Sequence, residues 1–236
     1  AEYTNAFEGV FDGNNHSITG INWTWDCSSE TSQCFGFFGA LSGATVKNLT
    51  IGAKAVVASA SNANINYNGM VAGGLIDGTI ENCVNKGSLS CVATSNKKRS
   101  AVGGIVGYAA VNEADNFVKG CTNDGPVTAT NTVSTENGGN GVHCGGIGGF
   151  FDALAANTDH FTFVQNCVNN AKIEAQDGVC WPCPTDDHPG TPILYVNGPS
   201  RKGGKALLKA MEWTPSPETE DPNYPKTLMN CRLLYH

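Results

Sequence analysis

The sequence predicts an all-β protein: a parallel β-solenoid, or β-helix, of about five coils with an irregular C-terminal cap containing one short helix. Three observations lead there. One short unit recurs along the chain, strands keep their spacing while the loops between them vary, and the composition favours strands and turns. The chain has 236 residues with 29 glycines, and only 15% of residues are charged. That balance suits many short strands joined by tight turns better than long helices.

The recurring unit is clearest around three cysteines. Ile80-Glu-Asn-Cys83, Val118-Lys-Gly-Cys121 and Val164-Gln-Asn-Cys167 superpose without gaps. Val46-Lys-Asn-Leu49 fits the same template with leucine for cysteine, and Ile18-Thr-Gly-Ile21 fits more loosely. One such unit cannot bury its apolar face alone, so the copies are expected to stack. A glycine-rich half precedes each unit: Gly36-Phe-Phe-Gly39, Gly73-Gly-Leu-Ile76, Gly103-Gly-Ile-Val-Gly107 and Gly145-Gly-Ile-Gly-Gly149. From the second glycine of the last three to the following cysteine the gap is 9, 17 and 21 residues (74 to 83, 104 to 121, 146 to 167). Insertions of that kind belong in loops on one side of a stack. A propeller is the rival architecture, but its blades need about four strands each, and each unit here supplies two or three.

Val, Ile and Thr enrichment favours strand over helix. The glycines let neighbouring backbones approach closely. Asn85-Lys-Gly87 and Asn123-Asp-Gly125 read as turns in which asparagine and glycine take positive φ. Asn85, Asn123 and Asn169 fall in one column, so their amides are placed for a hydrogen-bonded ladder. Cys83, Cys121 and Cys167 form a second, inward column of buried thiols that pack as small apolar residues.

Phe7-Glu-Gly-Val-Phe-Asp-Gly-Asn-Asn-His-Ser-Ile18 and the later Gly-Gly-Ile-Val-Gly and Ile-Glu-Asn-Cys-Val-Asn-Lys-Gly units resemble GLUG-type repeat proteins. The resemblance covers roughly residues 7–175. It implies a large secreted or cell-surface protein, often adhesin-like, and it defines a scaffold rather than an activity. The long insertions, the extra cysteines and the non-repetitive tail depart from that pattern.

Two regions follow: a repeat domain over 1–177, with variable loop insertions at 91–100, 108–117, 131–143 and 152–162, and a Pro-rich, Cys-containing cap or tail over 178–236. Within the tail, Ile193–Val196 reads as a short last strand and Lys202–Trp213 as the one helix. A cap there would cover the strand edges at the end of the stack. The chain opens inside a patterned stretch, which suits one from which a leader or earlier domain has been removed.

The net charge of −7 argues against a nucleic-acid surface. No apolar run approaches the ~18 residues of a membrane span. Ten cysteines favour an oxidising, extracellular or cell-surface location. Asn15-His-Ser, Asn22-Trp-Thr and Asn48-Leu-Thr are possible glycosylation sequons. Cys27 with Cys34, Cys91 with Cys144, and Cys180 with Cys183 are the disulfide candidates. Cys180-x-x-Cys183 lacks a thioredoxin-like context, and a zinc site there would need His188 and Cys231 to join in the absence of a second CxxC. Asn197 to Lys205 misses the phosphate-loop spacing by one residue.

These readings name no catalytic residue, metal site or cofactor, and the expectation is a chain that is not an enzyme. The alternative is a polysaccharide lyase or hydrolase on a β-helix scaffold. Its carboxylates would come from Asp12, Asp77, Glu113, Asp115, Asp152 and Asp159, but no pair recurs on one strand face, as glycoside hydrolysis requires. His16, His143 and His160 are dispersed. Trp23 and Trp25 alternate with Asn22 and Thr24 and are the candidates for stacking on sugar rings. The expected role is therefore structural or adhesive: loops presented to glycans or to other extracellular proteins, or self-association into a surface filament.

Overall fold

The computed structural model describes residues 5–26, 33–59, 66–93, 100–131, 142–153, 160–176, 179–180 and 192–197. These residues are all-β and contain no helix. The helix expected at 202–213 and most of the proposed cap lie outside the described residues.

The first round of the chain is β1 (Val10–Asp26). The second holds β2 (Gln33–Phe35), β3 (Phe38–Ser42) and β4 (Thr45–Ser59). The third holds β5 (Asn66–Gly69), β6 (Ala72–Ile76), β7 (Thr79–Glu81), β8 (Val84–Asn85) and β9 (Ser88–Ala93). The fourth repeats this as β10 (Ser100–Gly103), β11 (Val106–Val111), β12 (Asn116–Lys119), β13 (Thr122–Asn123) and β14 (Val127–Asn131). The fifth runs through β15 (Val142–Gly145), β16 (Gly148–Ala153), β17 (Thr162–Asn169) and β18 (Ile173–Gln176), and β19 (Val179–Cys180) and β20 (Pro192–Asn197) follow.

Three sheets result. One of five strands holds β2, β5, β10, β15 and β19, and one of four holds β3, β6, β11 and β16. The remaining strands form a sheet of eleven. From β2 to β19 the described strands visit the five-, four- and eleven-stranded sheets in that order and then begin again. Every pairing is parallel except that of β17 with β20. β20 contains the strand expected at Ile193–Val196 and runs along the edge of β17.

The registers show why the cysteine unit repeats. Val46, Ile80, Val118 and Val164 are direct partners across successive strands, and all four are fully buried. Each covers its counterpart one round away, so the apolar face that a single round exposes is removed from water by its neighbours. On the outer face the next column alternates in charge: Asp12, Lys47, Glu81, Lys119, ending at Gln165. Lys47 reaches Asp12 at 3.4 Å and Lys119 reaches Glu81 at 3.3 Å.

The chain bends between these columns at Asn48 (φ 55°), Asn82 (φ 51°), Gly120 (φ 62°) and Asn166 (φ 52°). Asparagine and glycine tolerate this left-handed conformation best. The positive φ expected at 85–87 and 123–125 does not occur. Asn85 and Asn123 lie in strands with buried side chains, and Gly87 is required for clearance: a Cβ there would sit 1.9 Å from the Ala53 carbonyl oxygen. The glycine-rich halves work the same way. A Cβ on Gly107 would fall 2.3 Å from the Asn68 nitrogen, so the five- and four-stranded sheets lie backbone against backbone there.

Candidate functional site

Each left-handed bend is followed by a buried side chain, Leu49 at the first and a thiol at the next three, Cys83, Cys121 and Cys167. Each thiol lies between two carbonyls, one in its own round and one in the round before: Cys83 Sγ is 3.4 Å from the Glu81 oxygen and 3.8 Å from that of Val46, Cys121 Sγ 3.5 Å from Lys119 and 3.6 Å from Ile80, and Cys167 Sγ 3.4 Å from both Gln165 and Val118. All three thiols are fully buried. Burial, with a thiol above and below, pushes Cys121 well above the ordinary thiol range. A thiol in that state is a poor nucleophile.

The asparagine column is a continuous ladder. Asn85 Nδ2 donates to Asn123 Oδ1, and Asn123 Nδ2 donates to Asn169 Oδ1, both at 2.7 Å. The ends are tied to the backbone: Gly87 N–H donates to Asn85 Oδ1 at 2.8 Å, and Asn169 Nδ2 donates to the Ala171 carbonyl at 2.8 Å. The three amides are buried and paired, which is what the interior demands of polar groups.

The candidate carboxylates are engaged as fasteners between rounds. Asp77 accepts the backbone N–H of Asn112 (2.7 Å) and of Glu113 (3.0 Å) in the next round. Asp115 accepts the N–H of Phe161 (2.8 Å) and faces His160 at 3.4 Å, again one round on. Asp12 accepts from Asn48 Nδ2 and the Asn14 N–H, both at 2.9 Å. Those two hydrogen bonds, with Lys47 adding less, hold its pKa below the usual carboxylate range. The side chain of Asp152, and Asp159 altogether, lie outside the described residues.

Trp23 and Trp25 stack on each other at 5.3 Å, and Trp25 stacks on Phe35 at 5.1 Å. Both are half-buried and pack on the core together with Phe7, Phe11, Phe37 and Phe38. They stand over Ala55 and Val57, so the rings plug the interior of the first round. That geometry serves packing before it serves sugars.

Cys34, Cys91 and Cys144 are thiols. Cys91 lies beside Asn68 of β5, and Cys144 reaches the Val127 carbonyl of β14 at 3.9 Å. Cys27, Cys183 and the side chain of Cys180 lie outside the described residues. Desolvation pushes the Cys34 thiol up to about 12.

One feature was missed in the sequence because its members come from different half-units. Tyr67 stacks on Tyr108 (4.2 Å), Tyr108 on Phe150 (6.1 Å), and His143 leans on Phe150 (5.1 Å). The two tyrosines are buried, while Phe150 and His143 are half-buried. Tyr67 and His143 stand at the second positions of β5 and β15, the strands entered from 60–65 and 132–141. Aromatic side chains therefore stand where the chain enters the five-stranded sheet. This is the candidate binding face. Among the described residues no cluster of three or more His, Cys, Asp or Glu is placed to hold a metal ion.

No family model and no solved structure matches the chain. Curated proteins match over short segments. The F420-dependent formate dehydrogenase 1 subunit alpha of Methanococcus maripaludis is 37% identical over 60 residues, 25% of this chain and 9% of that protein. The periplasmic nitrate reductase of Desulfovibrio desulfuricans is 30% identical over 84 residues, 29% of this chain and 11% of that one. The assimilatory nitrate reductase catalytic subunit of Bacillus subtilis is 31% identical over 71 residues, again 29% of this chain and 10% of that one. The chain thus spans about a tenth of the length of the curated relatives it matches. These relatives are enzymes, and the similarity, over short segments, overturns the expectation of a chain that is not an enzyme.

Proposed function

We propose that the rounds from β1 to β18 are coils of a parallel β-solenoid of the GLUG-like kind, serving as a rigid extracellular or cell-surface scaffold that presents its variable segments for recognition. The observation that carries this reading is the fixed cyclic order of the three sheets, with equivalent residues in register from round to round. A stack of this kind holds loops at a constant pitch on elements that do not move, which favours binding by reducing the ordering cost of the presented groups. The Tyr108–Phe150–His143 face supplies amphipathic surface beside those loops, a composition suited to glycans and protein surfaces alike. The test is a glycan array and an extracellular-protein array probed with the whole chain. Binding that falls about tenfold in Phe150→Ala, with the fold intact by circular dichroism, supports the reading. Binding to neither array, or binding indifferent to Phe150 and His143, removes the binding face.

A second reading rests on the comparisons. In it a segment of this chain shares descent with subunits of formate dehydrogenases and nitrate reductases, and the repeat scaffold is a module joined to oxidoreductase sequence. It is tested by assaying the chain, purified from its source, for formate- and nitrate-dependent electron transfer to dyes. Turnover with either substrate supports it, and none with both counts against it.

A further inference from the structure

We propose that Asn15 and Asn22 are N-glycan attachment sites of this chain and that Asn48, whose sequon Asn-Leu-Thr is equally well formed, is not. The three differ in what surrounds them. β1 is paired with β4 alone, so its other edge is open among the described residues. β4 is flanked on both sides, by β1 and by β7, β8 and β9. Asn15, His16 and Ser17 are all exposed, as are Asn22 and Thr24. Asn48 and Thr50 are half-buried, and Leu49 between them is core at 2% exposure.

The Asn48 amide is also already engaged. Its Nδ2 donates to Asp12 Oδ1 at 2.9 Å, and its Oδ1 accepts from Asn82 Nδ2 at 3.5 Å. A sugar on that nitrogen would have to enter beside Asp12 and Asn82, the residues that the amide now holds.

β1 is shaped for a carrier role. Its register slips against β4 between Asp12 and His16 and again between Thr19 and Asn22. Asn14 and Asn15, with φ of 48° and 61°, lie in the first slip. Such bulges throw backbone outward and blunt an edge against strand pairing. The two sequons sit at those bulges, so glycans there would screen the open edge of β1 and leave the binding face clear. In the transfer, the asparagine amide nitrogen bonds to C1 of a sugar carried on a pyrophosphate donor. The sugar–oxygen bond breaks, and the pyrophosphate leaves with the electron pair while the amide proton is lost.

Modification in the cell rests on the extracellular reading above, whereas the choice among the three sites does not. The experiment therefore has two arms. Folded, unmodified protein is treated with a soluble N-glucosyltransferase and UDP-glucose, with a synthetic peptide for each sequon as control, and occupancy is mapped by mass spectrometry. All three peptides should be labelled. In the folded protein Asn15 and Asn22 should be labelled at least about tenfold faster than Asn48, which must wait for local opening. Labelling of folded Asn48 at the rate of Asn15, or failure of folded Asn15 and Asn22 while their peptides react, overturns the assignment. Mapping of native material then decides the setting. Glycans at Asn15 and Asn22 complete the proposal, and bare asparagines at both overturn modification in the cell while leaving the extracellular reading to the binding test above.

Discussion

Replacing Asn123 by alanine removes the middle rung of the amide ladder. Two hydrogen bonds of 2.7 Å disappear together, one to Asn85 Nδ2 and one to Asn169 Oδ1. Both surviving amides are buried, at 0% and 4% exposure, so water cannot replace the missing partner. Leaving a buried polar group unsatisfied costs about 1–3 kcal/mol. Two such groups give about 2–6 kcal/mol, a large fraction of the ~5–15 kcal/mol that holds a domain together. Urea unfolding followed by circular dichroism measures the change, and the midpoint should fall with little change in slope. The double variant Asn85→Ala/Asn123→Ala isolates the coupling. Because the first substitution has already removed Asn85 Nδ2, the second should cost less than it does alone, by about 1 kcal/mol. A loss under about 0.5 kcal/mol for Asn123→Ala, the size of an ordinary surface change, would show that the ladder is decorative. Strict additivity in the cycle would refute the pairing itself.

Four further outcomes are expected. Asn68 sits in an otherwise apolar column between Phe35 and Val102, with an Oδ1 that no donor reaches; Asn68→Leu should raise stability by about 1 kcal/mol in the same urea experiment. Gly107→Ala should prevent folding or lower the melting temperature steeply, because the new methyl meets backbone that cannot yield; soluble yield and thermal unfolding report it. Asp77→Ala should speed amide exchange at Asn112 and Glu113, whose N–H groups it holds, while the exchange of Val118 stays slow. The pH dependence has two signed limbs. Asp12 has a depressed pKa, so its contribution is present above the ordinary carboxylate value of 3.8 and is lost as pH falls through the folded value. Cys34 is raised from 9.0 to about 12, so its contribution is present below pH 9.0 and is lost as pH climbs toward about 12. Melting temperature against pH should lose some of its alkaline limb in Cys34→Ala, the rest staying with Cys121, and some of its acid limb in Asp12→Asn.

The stacking of the cysteine units was readable in the sequence because a column repeats one residue type at one position. Ile80, Val118 and Val164 declare a shared interior by themselves, and Asn85, Asn123 and Asn169 declare a shared partner. Contacts made between unlike half-units left no such trace. Tyr67, Tyr108 and Phe150 form one aromatic stack although they come from two sheets, and only the fold brings them together. The turns misled for a related reason. Asn-Lys-Gly is common turn chemistry, yet here asparagine is held inward by its ladder and glycine by crowding, while the left-handed bends fall at Asn82 and Gly120, three residues upstream of the expected positions or more.

The matching columns have an implication for how such a chain changes length. Asn85 and Asn123 are 38 residues apart and hold equivalent places, as do Asn123 and Asn169 at 46. Excising the span from Val84 through Cys121 would bring Cys83 directly before Thr122 and leave Ile80 facing Val164 and Asn123 facing Asn169. A gene encoding this architecture can lose or duplicate one whole period in a single event and still specify a continuous interior.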